Sequence, residues 1–201
     1  IIRRTQFRIG VSVQKTLSAD EERDLIAEIP DNPEAFRVLY RHYFERIFAY
    51  IAYRVARQQD AEDITADVFM RVANKIDQFN YRGEGSFSAW IFRIAYNASQ
   101  DFHRKSKENS LIALDELPEI SSNNLSPDER LMRKENFTRL HQMIDSLSKR
   151  RREVITLKFF GELRNQEIAE ILNLDERTVA SHLCRAIEDL QHKYQQEDIR
   201  S

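Results

Sequence analysis

The sequence predicts an all-α protein with two small helical domains joined by a flexible acidic linker. In both halves of the 201 residues, apolar side chains recur at helical spacing behind residues that commonly cap helices. Four glycines in the whole chain leave few flexible backbone positions. Between the halves, residues 106–128 carry one basic and five acidic side chains, include Pro118 and lack a sustained helical period. The predicted division is an extension at 1–29, domains at 30–105 and 129–194, a linker at 106–128 and a tail at 195–201.

The extension at 1–29 combines an alternating stretch with a helix signal. Phe7, Ile9, Val11 and Val13 alternate with polar residues, which fits either an extended strand or a disordered arm. Ser18 and Glu21 have the spacing of a capping box, for a short helix that ends near Ile29.

Three amphipathic helices are predicted in the first domain. Asn32 precedes Pro33 and starts the first helix, Asp60 is predicted to cap the second, and Ser86 or Ser88 starts the third. The inward face of the first helix is predicted to be Phe36, Leu39, Tyr40, Tyr43, Ile47, Tyr50 and Ile51. That of the second is Ile64, Val68, Phe69, Val72 and Ile76, and that of the third is Trp90, Ile91, Ile94, Ala95 and Phe102.

The second domain is predicted to end in a helix-turn-helix. A capping box at Ser126–Glu129 opens its first helix, and Ser148 starts another that Gly161 ends. Asn165 is predicted to cap the helix QEIAEIL, and Asn173 is predicted to take the left-handed position in the turn that follows. Asp175 is predicted to cap the last helix, whose inward face is Val179, Leu183, Ile187 and Leu190. Such a pair binds DNA through the start of its second helix, although two ordinary packed helices fit the periodicity equally well.

Several classes of function find no support in the sequence. The histidines and Cys184 lack metal-ligand spacing, so no metal or other cofactor is expected. There is no phosphate loop and no nucleophile elbow, which argues against an enzyme. No apolar run is long enough to cross a bilayer, no leader is evident, and a single cysteine fits a reducing cytoplasm. The net charge of −2 argues against tight DNA binding by bulk electrostatics alone.

Three stretches resemble the extracytoplasmic-function (ECF) group of bacterial RNA polymerase sigma factors: DAEDITADVFMRVANKIDQF, RGEGSFSAWIFRIAYNASQDFHRK and LRNQEIAEILNLDERTVASHLCRAIEDL. The first two are specific in combination and order, whereas the third also resembles response-regulator and repressor DNA-binding domains. The resemblance implies a sigma-2 bundle at 30–105 and a sigma-4 helix-turn-helix at 129–194, without catalytic activity. It also implies three partners: core RNA polymerase through its β′ coiled coil and β flap, promoter DNA, and an anti-sigma factor.

The resemblance assigns three sets of residues. A loop and helix for melting the minus-10 element are implied at Asn80, Tyr81, Arg82, Gly83, Gly85, Ser86, Arg93, Asn97, Asp101, Arg104 and Lys105. Contacts to the minus-35 element are implied at Arg164, Asn165, Gln166, Arg177, Thr178, Ser181, His182 and Arg185. Docking on β′ is implied at Asp60, Glu62, Asp63, Asp67, Phe69 and Arg71, and flap contact at a ridge around Val154, Leu157 and Phe159.

The loop FNYRGEGSFSAW at residues 79–90 places two glycines inside a cluster of four aromatic side chains. Glycines would let the backbone approach a flipped base, and aromatic or basic side chains would hold it. Spacing assigns Phe79 and Trp90 to the core, and Tyr81 fits either role. The glycines also fit an ordinary turn.

Some residues depart from the family pattern. Asn173 stands where members usually have glycine, Ala180 and His182 where the recognition helix is usually basic, and Ala66 where glutamine is usual. Two other classes therefore stay open. A free-standing helix-turn-helix regulator would bind DNA without polymerase. An anti-sigma-like or adaptor protein would bind polymerase but not promoter DNA, and would not need Arg93, Asn97 or Arg177.

Overall fold

The computed structural model describes residues 17–55, 57–108 and 138–198, and within these ranges the chain is helical without any strand. The all-α prediction is confirmed for these residues. The alternating arm at 7–13, the helix start at Ser126–Glu129 and the predicted linker beyond residue 108 lie outside them. The helices are α1 (Ala19–Glu28), α2 (Pro33–Arg54), α3 (Gln58–Lys75), α4 (Ser86–Glu108), α5 (138–145), α6 (Lys149–Phe159), α7 (Asn165–Leu172) and α8 (Glu176–Asp198), with a 3₁₀ turn at Ile76–Gln78.

Three of the predicted helix starts are confirmed by their hydrogen bonds. Ser18 Oγ accepts from the Glu21 N–H at 3.2 Å and the Glu21 carboxylate accepts from the Ser18 N–H at 2.9 Å, which is a capping box. Asn32 Oδ1 accepts from the Glu34 N–H at 3.1 Å. Asp175 Oδ1 accepts from the Thr178 N–H at 2.8 Å at the start of α8.

Two predicted caps are wrong. α3 begins at Gln58 with Arg57 at its N-cap, so Asp60 lies within the first turn, where its charge offsets the helix dipole instead. α7 begins at Asn165 itself, and the preceding Arg164 is its N-cap, with its N–H donating to the Glu167 carboxylate at 2.6 Å. In both cases the chain enters the helix earlier than the polar residue that the pattern singled out.

Helices α1–α4 form the N-terminal bundle, whose centre holds the fully buried Tyr43, Tyr50, Phe87 and Phe92. α1, predicted only as part of an extension, belongs to this core through Ile26, with Leu17, Leu25 and Ile29 packed beside it. α4 continues to Glu108, into the predicted linker.

Helices α5–α8 form the C-terminal bundle, which packs directly against the N-terminal bundle. Val154, Leu157, Leu163 and Ile168 belong to the same buried cluster as Phe92 and the rest of the N-terminal core. Leu147, Ile155 and Ala186 lie in a smaller cluster that also includes Tyr53 from α2. The two predicted domains therefore share an apolar interface.

Candidate nucleic-acid interface

The loop before α4 takes its shape from two glycines with positive φ. Gly83 has φ +117° and Gly85 has φ +80°, values that L side chains adopt only with strain. Ser86 locks the turn, since its Oγ donates to the Gly83 carbonyl at 2.7 Å and accepts from the Arg82 N–H at 3.2 Å. α4 begins at Ser86, the first of the two predicted starts. The glycines thus form a tight turn that leaves Arg82 at the surface.

The aromatic side chains around this loop support it from below. The rings of Phe79, Phe87 and Trp90 lie 5.0 to 5.6 Å apart, and Phe87 is buried. Tyr81 is half-buried, and its hydroxyl donates to the Ala19 carbonyl of α1 at 3.0 Å. The prediction of Phe79 and Trp90 as packing residues is confirmed, and Tyr81 ties α1 to the loop.

α1 also places a carboxyl group beneath the loop. Glu22 is 7% exposed and accepts a hydrogen bond from the Tyr43 hydroxyl, which lies 2.9 Å from Ser88 Oγ. Burial is the main cause that raises the pKa of Glu22, and it also raises the pKa of Tyr43 well above its usual range. No pattern in the sequence indicates this trio, because its members come from α1, α2 and α4.

The residues predicted to face DNA on α4 lie on one side of that helix. Arg93, Asn97, Arg104 and Lys105 are exposed. Asp101 is half-buried, and one of its oxygens lies 3.0 Å from the Arg104 guanidinium. The spacing of 93, 97, 101 and 104 keeps them on a single stripe. This stripe continues from the glycine loop, so loop and helix form one surface.

Part of that surface contacts the C-terminal bundle. Arg82 Nη2 lies 2.6 Å from Glu170 Oε1, and Arg93 donates to the Glu170 carbonyl. From the other side, Arg164 Nη1 lies 2.7 Å from Glu84 Oε1. Neither pairing was predicted from the sequence, since residues more than seventy positions apart give no pattern.

The helix-turn-helix is present in α7 and α8. Asn173 occupies the left-handed position as predicted, with φ 53° and ψ 54°. Arg177, Ser181 and Arg185 are exposed on α8, with Thr178 and His182 half-buried between them. The Thr178 hydroxyl and N–H both donate to Asp175, which lowers the pKa of that carboxyl.

The predicted DNA-binding residues at the start of α7 differ in exposure and in partners from those on α8. Gln166 is exposed, but Arg164 is engaged with Glu84, and Asn165 Oδ1 is buried without a hydrogen-bond partner. Of the predicted minus-35 residues, Gln166, Arg177, Ser181 and Arg185 are therefore exposed, whereas Arg164 is paired with Glu84 of the N-terminal bundle.

The predicted polymerase-docking helix, α3, presents a mixed surface. Glu62, Asp63 and Arg71 are exposed, Asp60 and Asp67 are half-buried, and Arg71 Nη2 lies 2.7 Å from Asp67 Oδ2. Phe69 is 6% exposed and packs against Tyr40 with ring centroids 4.5 Å apart. Phe69 therefore supports this surface from inside. Its neighbour Met70, which the sequence analysis did not single out, is 65% exposed.

The predicted flap ridge is corrected by the structure. Val154 and Leu157 are fully buried and belong to the interface with the N-terminal bundle, whereas Phe159 is 61% exposed. Helical spacing identified all three as apolar but could not show which side of α6 the other bundle covers. Of the three, only Phe159 presents an apolar side chain to solvent.

Among the described residues, no helix combines the length and apolarity that a bilayer crossing requires. The same residues contain no group of three or more histidine, cysteine or carboxylate side chains arranged to hold a metal ion.

Comparison with known families finds two matches along the chain. The family model described as Sigma-70 region 2 matches residues 39–108, and the one described as Sigma-70, region 4 matches residues 137–190. The first match spans most of α2 through α4 and the second spans α5 through most of α8.

Known proteins of the same kind are similar over most of the chain. The chain is 30% identical over 165 residues to the ECF RNA polymerase sigma factor SigW of Bacillus subtilis, covering 78% of this chain and 87% of SigW. It is 28% identical over 157 residues to the ECF RNA polymerase sigma factor BldN of Streptomyces coelicolor, covering 78% of this chain but 59% of BldN. Among solved structures, the sigma factor RpoE of Bartonella quintana, in complex with the anti-sigma factor NepR, is similar with a TM-score of 0.60 at 20% identity, covering 78% of this chain and 94% of RpoE.

Proposed function

Because the chain belongs to the ECF family of RNA polymerase sigma factors, we propose that it directs promoter-specific initiation through the two surfaces described above. The N-terminal bundle would dock on core RNA polymerase and melt the minus-10 element. The C-terminal bundle would bind the minus-35 element. The protein is thus a transcription initiation factor and not an enzyme, and it would act in the cytoplasm, where the polymerase works.

The observation that carries the proposal is the glycine loop at the head of the α4 stripe. Extracting a base from the duplex costs a few kcal/mol, which contacts on the protein must offset. The turn leaves open space beside the α-carbon of Gly83, and Arg82, Arg93, Asn97 and Arg104 supply cationic and amide groups along one line. We propose that the base enters at the loop and that the following phosphates lie along α4.

The C-terminal bundle fits the major groove through α8. Arg177, Ser181 and Arg185 follow one another at helical spacing on its exposed side. The chain has little net charge to hold DNA by itself, at −2, so polymerase would supply the remaining affinity.

Docking on polymerase is proposed through α3 and through Phe159. The carboxylates of Glu62, Asp63 and Asp67 favour a basic partner surface, and the adjacent exposed Met70 adds an apolar contact. The acidic segment at 106–128 is proposed to thread toward the RNA exit path, where its charge would mimic nucleic acid. We also propose control by an anti-sigma factor, because RpoE, which shares this fold, was solved bound to one.

The test is binding to a fluorescent promoter fork with an unpaired minus-10 strand, chosen from a randomised pool, with and without core polymerase. The proposal expects binding only with polymerase, and at least a tenfold loss in the Asn80→Ala/Arg82→Ala variant, about 1.4 kcal/mol. The matched control Arg41→Ala/Gln191→Ala removes similar side chains from exposed positions outside the proposed surfaces and should bind normally. Equal binding to duplex DNA without polymerase would show a free-standing regulator instead.

A further inference from the structure

The stretch ahead of α1 concentrates positive charge. The first acidic residue of the chain is Asp20, and four cations come before it, at Arg3, Arg4, Arg8 and Lys15. No other stretch of the sequence is free of acidic side chains for as long. Because the whole chain has a net charge of −2, this local excess stands out from its surroundings. We call residues 1–16 the basic arm.

Polar residues recur at every second position of the basic arm. From position 4 to position 14, each even-numbered residue is polar or glycine: Arg4, Gln6, Arg8, Gly10, Ser12 and Gln14. The odd-numbered residues from 7 to 13 are all apolar. Alternate side chains of an extended chain point to opposite sides, so an arm bound in that form would present its arginine, amide and hydroxyl groups together. Such groups are the usual donors to DNA phosphates.

The basic arm lies outside the described residues, and the structure shows where it joins the N-terminal bundle. Leu17 packs beside the apolar core, and the capping box of Ser18 fixes the start of α1. In the first turn of α1, the Ala19 carbonyl accepts from the Tyr81 hydroxyl at 3.0 Å. Tyr81 directly precedes Arg82, which is exposed in the glycine loop. The basic arm therefore joins the bundle beside the proposed minus-10 surface.

A second contact holds the start of α1 in this place. Glu22, one turn after Ser18, accepts from the Tyr43 hydroxyl, and that hydroxyl lies 2.9 Å from Ser88 Oγ. Ser88 belongs to the first turn of α4, directly after the glycine loop. All three side chains are buried, so moving α1 away from the loop would leave buried polar groups unpaired. The position at which the basic arm leaves the bundle is thus fixed.

The basic arm is long enough to follow DNA away from that surface. An extended chain advances about 3.3 Å per residue, so from Leu17 it reaches Lys15 at about 7 Å and Arg8 at about 30 Å. Over such a distance each strand of a duplex presents a phosphate about every 3.4 Å. Basic arms that precede helical DNA-binding domains reach DNA in this way in homeodomains. The nearest acids along the chain, Asp20 and Asp24, are paired with Arg23 at 3.2 and 2.9 Å.

We infer that the basic arm binds the phosphate backbone of promoter DNA next to the minus-10 element, through Arg3, Arg4 and Arg8. The inference rests on the proposed function for the identity of the DNA site. The arm extends the surface made by the glycine loop and the α4 stripe. It also supplies cations to a chain whose net charge is too low to hold DNA by itself.

The experiment measures how the binding of a promoter fork depends on salt. Core polymerase is assembled with the wild type or with the arm variant, Arg3→Gln/Arg4→Gln/Arg8→Gln. Each phosphate contact contributes about 0.7 on a single strand, and about 0.9 on duplex, to the slope of log K against log salt concentration. Loss of three contacts should make this slope shallower by about 2 to 3, with weaker binding at low salt.

A matched control separates the basic arm from bulk charge. Arg37→Gln/Arg41→Gln/Lys149→Gln also removes three exposed cations, from α2 and α6, outside the proposed surfaces. Its slope should stay within about 0.5 of the wild-type slope. Equal changes in the two variants, or an unchanged slope in the arm variant, would overturn the inference. Weaker assembly of the arm variant with core polymerase at an unchanged slope would show that the arm binds protein, which also overturns it.

A second readout locates the basic arm by photo-cross-linking. Gln6→p-benzoylphenylalanine places a photoreactive ketone between Arg4 and Arg8. In the complex of polymerase and fork, this residue should become linked to DNA, and primer extension to the linked nucleotide tells single strand from adjoining duplex. The same group at Tyr40, on α2, should give no DNA-linked product. Links from position 6 to protein alone would overturn the inference.

The cross-link also separates this inference from the proposed function. If the wild type assembled with polymerase does not bind the fork, the proposed function fails. The Gln6→p-benzoylphenylalanine chain is then irradiated without polymerase, at low salt, with single-stranded and duplex DNA of mixed sequence. A DNA-linked product would still show that the basic arm binds the phosphate backbone, and its absence would overturn the inference.

Discussion

At the scale of single residues, buried charge at Glu22 has a consequence for stability. Burial raises the pKa of this carboxyl above its usual 4.5; the Tyr43 hydrogen bond lowers it, repulsion from Glu167 raises it further, and Arg46 and Arg164 lower it. The folded state consequently holds the proton more tightly than the unfolded state does. Stability then falls as the pH rises from 4.5 through the raised pKa, and the penalty is complete above that pKa.

The Glu22→Gln variant should therefore unfold at a higher urea concentration than the wild type at neutral pH. Glutamine keeps an oxygen that accepts from the Tyr43 hydroxyl and removes the buried charge. The gain should shrink as the pH is lowered toward 4.5, because the wild-type carboxyl then takes up its proton. Glu28→Gln, an exposed change on the same helix, should show no such pH-dependent gain.

The two loop glycines allow a matched comparison of strain and contact. Gly83→Ala should lower the free energy of unfolding by about 1–2 kcal/mol, from the positive φ alone. Gly85→Ala should cause the same strain and also displace Arg164 and Glu167. In urea unfolding, the Gly85→Ala variant should have a lower free energy of unfolding than the Gly83→Ala variant. This difference between the two variants should be smaller in an Arg164→Ala background. If the Gly83→Ala variant is as unstable as the Gly85→Ala variant, the extra cost assigned to the contacts at Gly85 is contradicted.

At the scale of elements, the turns that flank α7 are stabilised unequally by their residues. Glu162 before α7 and Asn173 after it both adopt left-handed backbone, with φ 54° and 53°. Asparagine tolerates this conformation because its short side chain can bond locally, whereas glutamate gains nothing comparable. The turn at Asn173 is further fixed by the Leu174 N–H, which donates to the Ala169 carbonyl at 2.9 Å.

Glycine should consequently stabilise both turns, and Glu162→Gly more than Asn173→Gly. We expect increases of about 1 kcal/mol and about 0.5 kcal/mol in the free energy of unfolding, which thermal denaturation would measure. Glu162→Ala controls for the Arg46 contact at 4.0 Å and should give no increase. A gain from alanine as large as that from glycine would refute the backbone explanation.

At the scale of the whole molecule, His141 links the two bundles. Its Nδ1 lies 3.0 Å from the Asp145 carboxylate, and its Nε2 lies 3.0 Å from the Tyr53 carbonyl of α2. The hydrogen bond to Asp145 is the main cause that raises the pKa of His141 above 6.5, and the contact to Tyr53 adds to it, while burial opposes both. The protonated imidazole donates to both groups at once.

The interface should therefore be more stable near pH 6 than near pH 8, since stabilisation by His141 is complete below 6.5 and is lost as the pH rises through the raised pKa. His141→Gln should flatten this dependence in urea unfolding. His192→Gln, an exposed histidine on α8, should leave it unchanged. If the His141→Gln variant keeps the full pH dependence, other groups control the interface.

The sequence by itself determined the helices, the capping residues at Ser18, Asn32 and Asp175, the left-handed Asn173 and the glycine turn. These follow from local rules, because helix periodicity and turn chemistry depend on residues a few positions apart. It also carried the family resemblance, which the comparisons confirmed.

Only the tertiary structure decided which surfaces are covered. Spacing gives an apolar face to α6 but cannot show that Val154 and Leu157 meet the N-terminal bundle while Phe159 stays exposed. The sequence also does not indicate the pairing of Arg82 with Glu170 or the burial of Glu22. Each joins residues from separate helices, and such contacts arise from how the bundles pack, which no periodicity along one helix encodes.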